Sequence, residues 1–186
     1  VRITAATDEN EFASANSSYI VRGNSKDYIT WKNVHVDGGT GGVTAYNDNN
    51  TMYGFHANSS TFDYMETINC MGQSLDYPFY RMQKVEDCVA YHAFAGFALC
   101  TDANRVLAFG CYYGAQQCTK VRNSILHGNW CVAYQCNLSI NNILFGGYYQ
   151  LLGSSNHDFA IDTIHMGGRH AVGAFNTTDT SQQIVS

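Results

Sequence analysis

Charge is scarce in this chain, and positive charge is the scarcer kind. Only 13% of the 186 residues are charged, with 10 Lys and Arg against 15 Asp and Glu, giving a net charge of −5. The ten cations form no cluster. Nucleic acid and anionic membranes are recognised by a positive stripe or patch, so neither partner is expected. No apolar run is long enough to cross a membrane, and no basic segment precedes a short apolar one. The sequence therefore reads with neither a membrane span nor a signal peptide. It opens at Val1 rather than Met, and a fragment or a processed product is expected. There is a single Pro, and no Cys-x-x-Cys or Cys-x-x-His pair among the seven Cys, so no zinc site and no other metal or cofactor is expected. Seven is odd, and at least one thiol has no partner within the chain.

What the chain does have is Gly (17), Tyr (13), Phe (10) and many Asn. Helices favour Ala, Leu, Glu, Lys and Arg. This composition suits short strands joined by Asn- and Gly-bearing turns. The length allows one domain with a sizeable core.

An internal 18-residue repeat sets the architecture. Val89, Leu107, Ile125, Ile143 and Ile161 fall at that step, and so do Tyr91, Phe109, His127 and Phe145. Further columns are His92, Gly110, Gly128 and Gly146; Phe97, Ala115, Ala133 and Leu151; and Cys100, Cys118 and Cys136. Asn123 and Asn141 stand at the turn before successive strands. Positions 89 and 91 share one face of a strand, as do 107 and 109. So short a repeat leaves no room for an intervening helix. The expected fold is all-β: a right-handed single-stranded parallel β-helix with about 18–20 residues per turn. Each turn lays its strands on the last, with like residues stacked inside. The Cys column is read as packing, because a free thiol behaves as a small hydrophobe.

Upstream the register loosens. Residues 29–38 read as one strand ending in a turn, and Tyr64–Cys70 as another. The domain reading is a polar linker or incomplete first turn over 1–18, the solenoid over 19–175 with a loop insertion near 38–60, and a polar tail over 176–186.

The segment Tyr19-Ile-Val-Arg-Gly-Asn-Ser-Lys-Asp-Tyr-Ile-Thr-Trp-Lys-Asn-Val-His-Val-Asp-Gly38 resembles the opening turns of pectate-lyase-like β-helices. That superfamily holds polysaccharide lyases, glycoside hydrolases, epimerases and phage tailspikes. The end of the chain, Gln-Gln-Ile-Val-Ser186, resembles the product of phage spikes that release an intramolecular chaperone by self-cleavage after a Ser. That resemblance implies Ser186 as the cleavage terminus, a homotrimer, and a place in the virion tail after assembly in the reducing host cytoplasm. Free thiols agree with such a compartment. A secreted protein is the alternative.

Two sets of residues are candidates for chemistry. Glycoside hydrolysis uses two carboxyl groups about 5–5.5 Å apart for retention and roughly 6.5–9.5 Å for inversion. Glu86 and Asp87, with Asp63 and Glu66 as partners, are the acids placed near one edge of adjacent turns. Asp is also a default turn residue, so these acids can equally be solvated corners. Asp102, with Lys120 one repeat on, and Asp158 and Asp162 lie further along. No Asp ladder keeps the 18-residue step, since Asn104, Arg122, Ile140 and Asp158 are mixed, and calcium-dependent lyase chemistry is not expected. The second set is aromatic: Phe94, Tyr112, Trp130 and Tyr148 at the 18-residue step, with Tyr113 and Tyr149 beside them. Facing out, Trp130, Tyr112 and Tyr148 form a substrate-binding strip for sugar rings. Facing in, they are core.

These readings converge on a receptor-binding spike or fibre domain that recognises, and in an enzymatic form cleaves, a bacterial surface polysaccharide. The rivals are a monomeric carbohydrate-active enzyme of the same fold and a purely structural spike segment.

Overall fold

A computed structural model describes residues 1–4, 17–23, 28–39, 51–57, 64–152, 159–161, 164–166 and 184–185. The chain is all-β with parallel strands, and no α-helix occurs among the described residues. Its strands form a 14-stranded sheet and a 7-stranded sheet.

One repeat shows the path. Val89–Ala93 and Ala95–Ala98 lie in the larger sheet, Asp102–Asn104 crosses to the smaller one, and Leu107–Gln116 returns to the larger. Each strand pairs with its counterpart one repeat away: Val89 with Leu107, Leu107 with Ile125, Asp102 with Lys120, and Phe97 with Ala115. The step lengthens near the end, where Ile143 pairs with Ile164 and Ile140 with Ile161. Ile161 thus belongs to the smaller sheet and not to the Val89 column.

Single left-handed residues make the corners. Asn33, Asn69, Asp87, Arg105, Asn123 and Asn141 all have φ between 50° and 57°. Arg81, Leu99, Gln117 and Gln135 form a second corner with φ of 51–57°, and Ser74 and His92 a third with φ of 52° and 50°. Asn and Asp visit this region most readily, because their short polar side chains bond locally. At the first corner the amides also link repeats: Asn69 donates to Asn33 at 2.7 Å, and Asn141 to Asn123 at 2.9 Å. The corner at Asn33 corrects the reading of 29–38 as one strand. Ile29–Lys32 lies in the smaller sheet and His35–Asp37 in the larger. Strands also lie in the segments read as a linker or incomplete first turn and as a loop insertion: Arg2–Thr4 pairs with His35–Asp37, and Thr51–Ala57 with both Ser17–Gly23 and Tyr77–Tyr80.

The core runs along the stack. Phe55, Phe79 and Phe97 are fully buried and stacked at 5.3 and 5.1 Å. Ala115 and Ala133 take the same column further on. All seven Cys are buried, and none is joined in a disulfide. The thiols of Cys100 and Cys118 donate to the carbonyls of Phe79 and Phe97, at 3.6 and 3.4 Å. A thiol here is both compact enough to pack and able to satisfy a buried carbonyl. Past the first corner, Ser124 and Asn142 do the reverse job. Their oxygens accept from the backbone N–H of Val106 and Ser124, at 3.1 and 2.9 Å.

The most regular apolar columns face the opposite way from the one expected. Ala90, Ala108, Leu126 and Leu144 are fully buried. Val89, Leu107, Ile125 and Ile143 alternate with them and therefore point out, and so do Tyr91 and Phe109. A one-residue change of phase in a strand exchanges its two faces. Small Ala residues on the inner face made the outer face the more hydrophobic of the two.

Candidate functional site: an aromatic ridge and an acid network

The Phe94 column sits just beyond the corner at His92. There the strand Ala95–Ala98 turns its inner side, Phe97, to the core and Ala95 and Ala98 outward. A second apolar cluster covers that outer side. Ala95, Ala98, Tyr113 and Cys131 are buried in it, with Tyr77, Tyr80, Phe94, Trp130, Tyr134, Tyr149 and Leu152 packed against them. Tyr77, Ala95, Tyr113, Cys131 and Tyr149 share one register column, so large and small residues alternate along it. The small members leave room for the rings on either side.

On this layer stands the ridge. Phe94–Tyr112, Tyr112–Trp130 and Trp130–Tyr148 stack with centroids 5.4, 6.1 and 5.4 Å apart and planes within 10°. Tyr113 and Tyr149 buttress it edge-on at 4.9 and 4.6 Å. Tyr112 and Tyr148 are 39% and 43% exposed, while Phe94 and Trp130 are half-buried. The strip therefore faces out, with a changed form. Strands repeat at about 4.8 Å, too close for rings to lie flat side by side, so they stack and cover one another's faces. What solvent meets is a row of ring edges. Trp130 is part of the supporting layer as well as the ridge.

The acids lie on the smaller sheet and its first corner. Glu66 is in register with Lys84, and Ile68 with Glu86. Glu66 and Glu86 are thus diagonal neighbours, with Cα atoms about 8 Å apart from strand spacing and rise. Lys84 Nζ lies 2.7 Å from Glu86. Arg105 Nη2 donates to Glu86 at 2.7 Å, and its Nε and Nη2 donate to the two oxygens of Asp87 at 2.7 and 2.8 Å. The Tyr64 hydroxyl donates to Glu66 at 2.9 Å. Hydrogen bonds from Lys84 first, and then Arg105, hold Glu86 below the usual carboxylate range, and Arg105 does the same for Asp87. Next along the sheet, Arg122 forks onto Asp102 at 3.0 and 2.8 Å. Alternating charges across adjacent strands stabilise a sheet face. As held, Glu86 and Asp87 are ionised acceptors, able to take a proton or face a cation. A glycosidase acid must instead arrive protonated. Asp63 and Ser186 lie outside the described residues.

His127 is half-buried between Phe109 and Phe145, at 5.1 and 4.9 Å, and accepts the N–H of Gly110 at 3.4 Å. Among the described residues no group of three or more His, Cys, Asp or Glu is placed to hold a metal ion. Two features escaped the sequence reading. The role of Arg105 was hidden because its partners lie a full repeat back along the chain, although its place in the Asn69–Asn141 corner column was visible. The alternation of Tyr and small residues from Tyr77 to Tyr149 was legible in the repeat.

No family model, curated protein or solved structure matches this chain.

Proposed function

We propose that this chain is a right-handed parallel β-helix of the pectate-lyase-like kind and the receptor-binding domain of a phage tailspike or tail fibre. In this reading it recognises a bacterial surface polysaccharide and works as a homotrimer in the virion tail. The 18-residue parallel register and the three recurring corners support the coil. The observation that carries the binding role is the exposed ridge from Phe94 to Tyr148. It is long and periodic, and it is amphipathic, offering apolar edges together with tyrosine hydroxyls, which suits a linear ligand of repeated sugar units.

A panel of bacterial surface polysaccharides, titrated against the purified chain, tests it. Tyr112→Ala and Tyr148→Ala are expected to weaken binding about tenfold each, equivalent to roughly 1.4 kcal/mol, with the urea midpoint little changed. Trp130→Ala is the less clean probe, because it also opens the layer beneath. Binding that survives both tyrosine changes would remove the ridge from the site.

A depolymerase is the second reading, favoured by the Glu66–Glu86 diagonal, which puts two carboxyl-bearing residues on one face of adjacent strands, as a hydrolytic pair needs. It predicts that the chain shortens the bound polysaccharide and that Glu86→Gln stops it. An unchanged chain length leaves recognition alone, as in a structural spike segment. A monomer that cleaves would favour the single-chain enzyme.

A further inference from the structure

We infer that the outer face formed by the Val89 and Tyr91 columns is the seam through which copies of this chain pack together. The inference rests on the proposed reading that the chain self-associates, and it names the surface. Leu107, Ile125, Tyr91 and Phe109 are 37%, 43%, 45% and 46% exposed. Val89, Ile143, His127 and Phe145 are half-buried beside them. The rings of the second column touch along its length: Tyr91 stacks on Phe109 at 6.1 Å, and His127 meets Phe145 in a tilted contact at 4.9 Å. Met71 and Gln73 precede the two columns in register, and Ile164 and Met166 follow them. No member of either column, these flanking four included, carries a formal charge at neutral pH.

Three arguments point to a second copy as the occupant. The first is area. Taking about 200 Å² for a large side chain fully exposed, the four exposed residues present roughly 350 Å², and the half-buried four raise this to about 450 Å². That is the size of the largest apolar patch on an ordinary monomer, roughly 300–600 Å², a kind that is often functional. Two such faces brought together remove about 900 Å², the greater part of the roughly 1,200 Å² at which stable interfaces begin, and a polar rim adds the rest.

The second is periodicity. The columns form ridges whose knobs repeat at the strand spacing of about 4.8 Å. A surface that interlocks with them over several repeats needs the same spacing, and the same face of another copy has it. The third is charge. Copies that each carry −5 repel, and this face brings no like charges into contact. The Phe94–Tyr148 ridge differs in kind. Most of its rings carry a hydroxyl or an indole N–H, whereas the seam is chiefly aliphatic and phenyl.

Light scattering and sedimentation of the full chain at tens of micromolar test the seam. The wild type is expected at two or three times 20.6 kDa. The double change Phe109→Asp with Ile125→Asp is expected to give 20.6 kDa with an unchanged circular dichroism spectrum. If that variant fails to fold, Ile125→Cys treated with a short bis-maleimide decides, since the seven native thiols are buried: a cross-linked product supports the seam and its absence overturns it. A wild type that is multimeric with the double variant equally so places the contact elsewhere, overturning the seam while sparing the trimer. A wild type that is monomeric overturns both.

Discussion

Asn123→Val tests the idea that single left-handed residues bend this chain. Asn123 sits at the first corner with φ of 53°. Its amide donates to Asn104 at 2.9 Å and accepts from Asn141 at 2.9 Å. Placing a side chain without a local hydrogen bond in this region costs about 1–2 kcal/mol, and a β-branched one stands at the upper end. The two lost hydrogen bonds lie near solvent and add roughly 0.5 kcal/mol each. The expected total is about 2–3 kcal/mol. Asn123→Gly removes the same hydrogen bonds but tolerates positive φ, so it should lose at most about 1 kcal/mol. With a urea slope of about 2.5 kcal/mol per molar, Val lowers the midpoint by roughly 1 M and Gly by no more than about 0.4 M. The assay is urea unfolding at pH 7, followed by circular dichroism. Equal losses for Val and Gly would assign the whole effect to the amide ladder. A Val variant within about 0.2 M of wild type would refute the left-handed corner itself.

The remaining predictions concern the core and the acid network. Phe97→Ala empties a fully buried place in the Phe55–Phe79–Phe97 stack and should cost about 3–5 kcal/mol, read as a fall in the urea midpoint with an unchanged slope. A loss below about 1 kcal/mol would mean that the column collapses on itself. Arg105→Gln should lower the midpoint at pH 7, and the difference from wild type should shrink as the pH is taken down through the acid range. The carboxyls of Glu86 and Asp87 lie below their ordinary 4.5 and 3.8, so their contribution is complete above those values and fades as pH falls through the lowered ones. A difference between Arg105→Gln and wild type that stays the same at every pH would mean that Arg105 acts through packing.

The repeat was the most legible part of this protein. The 18-residue step, read from Val89, Leu107, Ile125 and Ile143, is the hydrogen-bond register between successive strands. It was legible because one repeat stacks directly on the next, so the sequence is nearly a list of columns. Where inserted residues lengthen the step, the sequence shows the extra length but not the strand within it. His35 pairs with Met71, twice the usual step away, with Thr51–Ala57 lying within that span as a strand. Breaks within a repeat were harder to see. Asn33 separates two strands that look continuous as Ile-Thr-Trp-Lys-Asn-Val-His-Val, because one residue in the left-handed region redirects the chain without a Gly or Pro to announce it. Of the acids, Glu66 and Glu86 lie on adjacent strands of the smaller sheet. Arg105, the partner of Glu86 and Asp87, acts from the next repeat, a relation that only the stacking reveals.

The inversion of the two strand faces has a physical cause. Hydrophobicity alone assigns the larger apolar residues to the interior. In the strand Val89–Ala93 the interior receives Ala90, and Val89 and Tyr91 go out; Leu107 and Phe109 repeat the choice around Ala108. The space inside explains it. Phe55, Phe79 and Phe97 project from the facing strands, and Gly96 comes so close that a methyl added there would lie 3.0 Å from the Ala90 side chain. At close packing a second large side chain at position 90 would overfill the layer. Position 126 reaches Leu only where the facing column has shrunk to Ala115 and Ala133. Interior volume therefore fixes the small residues at alternate positions. It places no demand on the outer ones, which in a solitary soluble chain would be polar. Their being Val, Leu, Ile, Tyr and Phe instead is what the proposed contact with another copy would require of them.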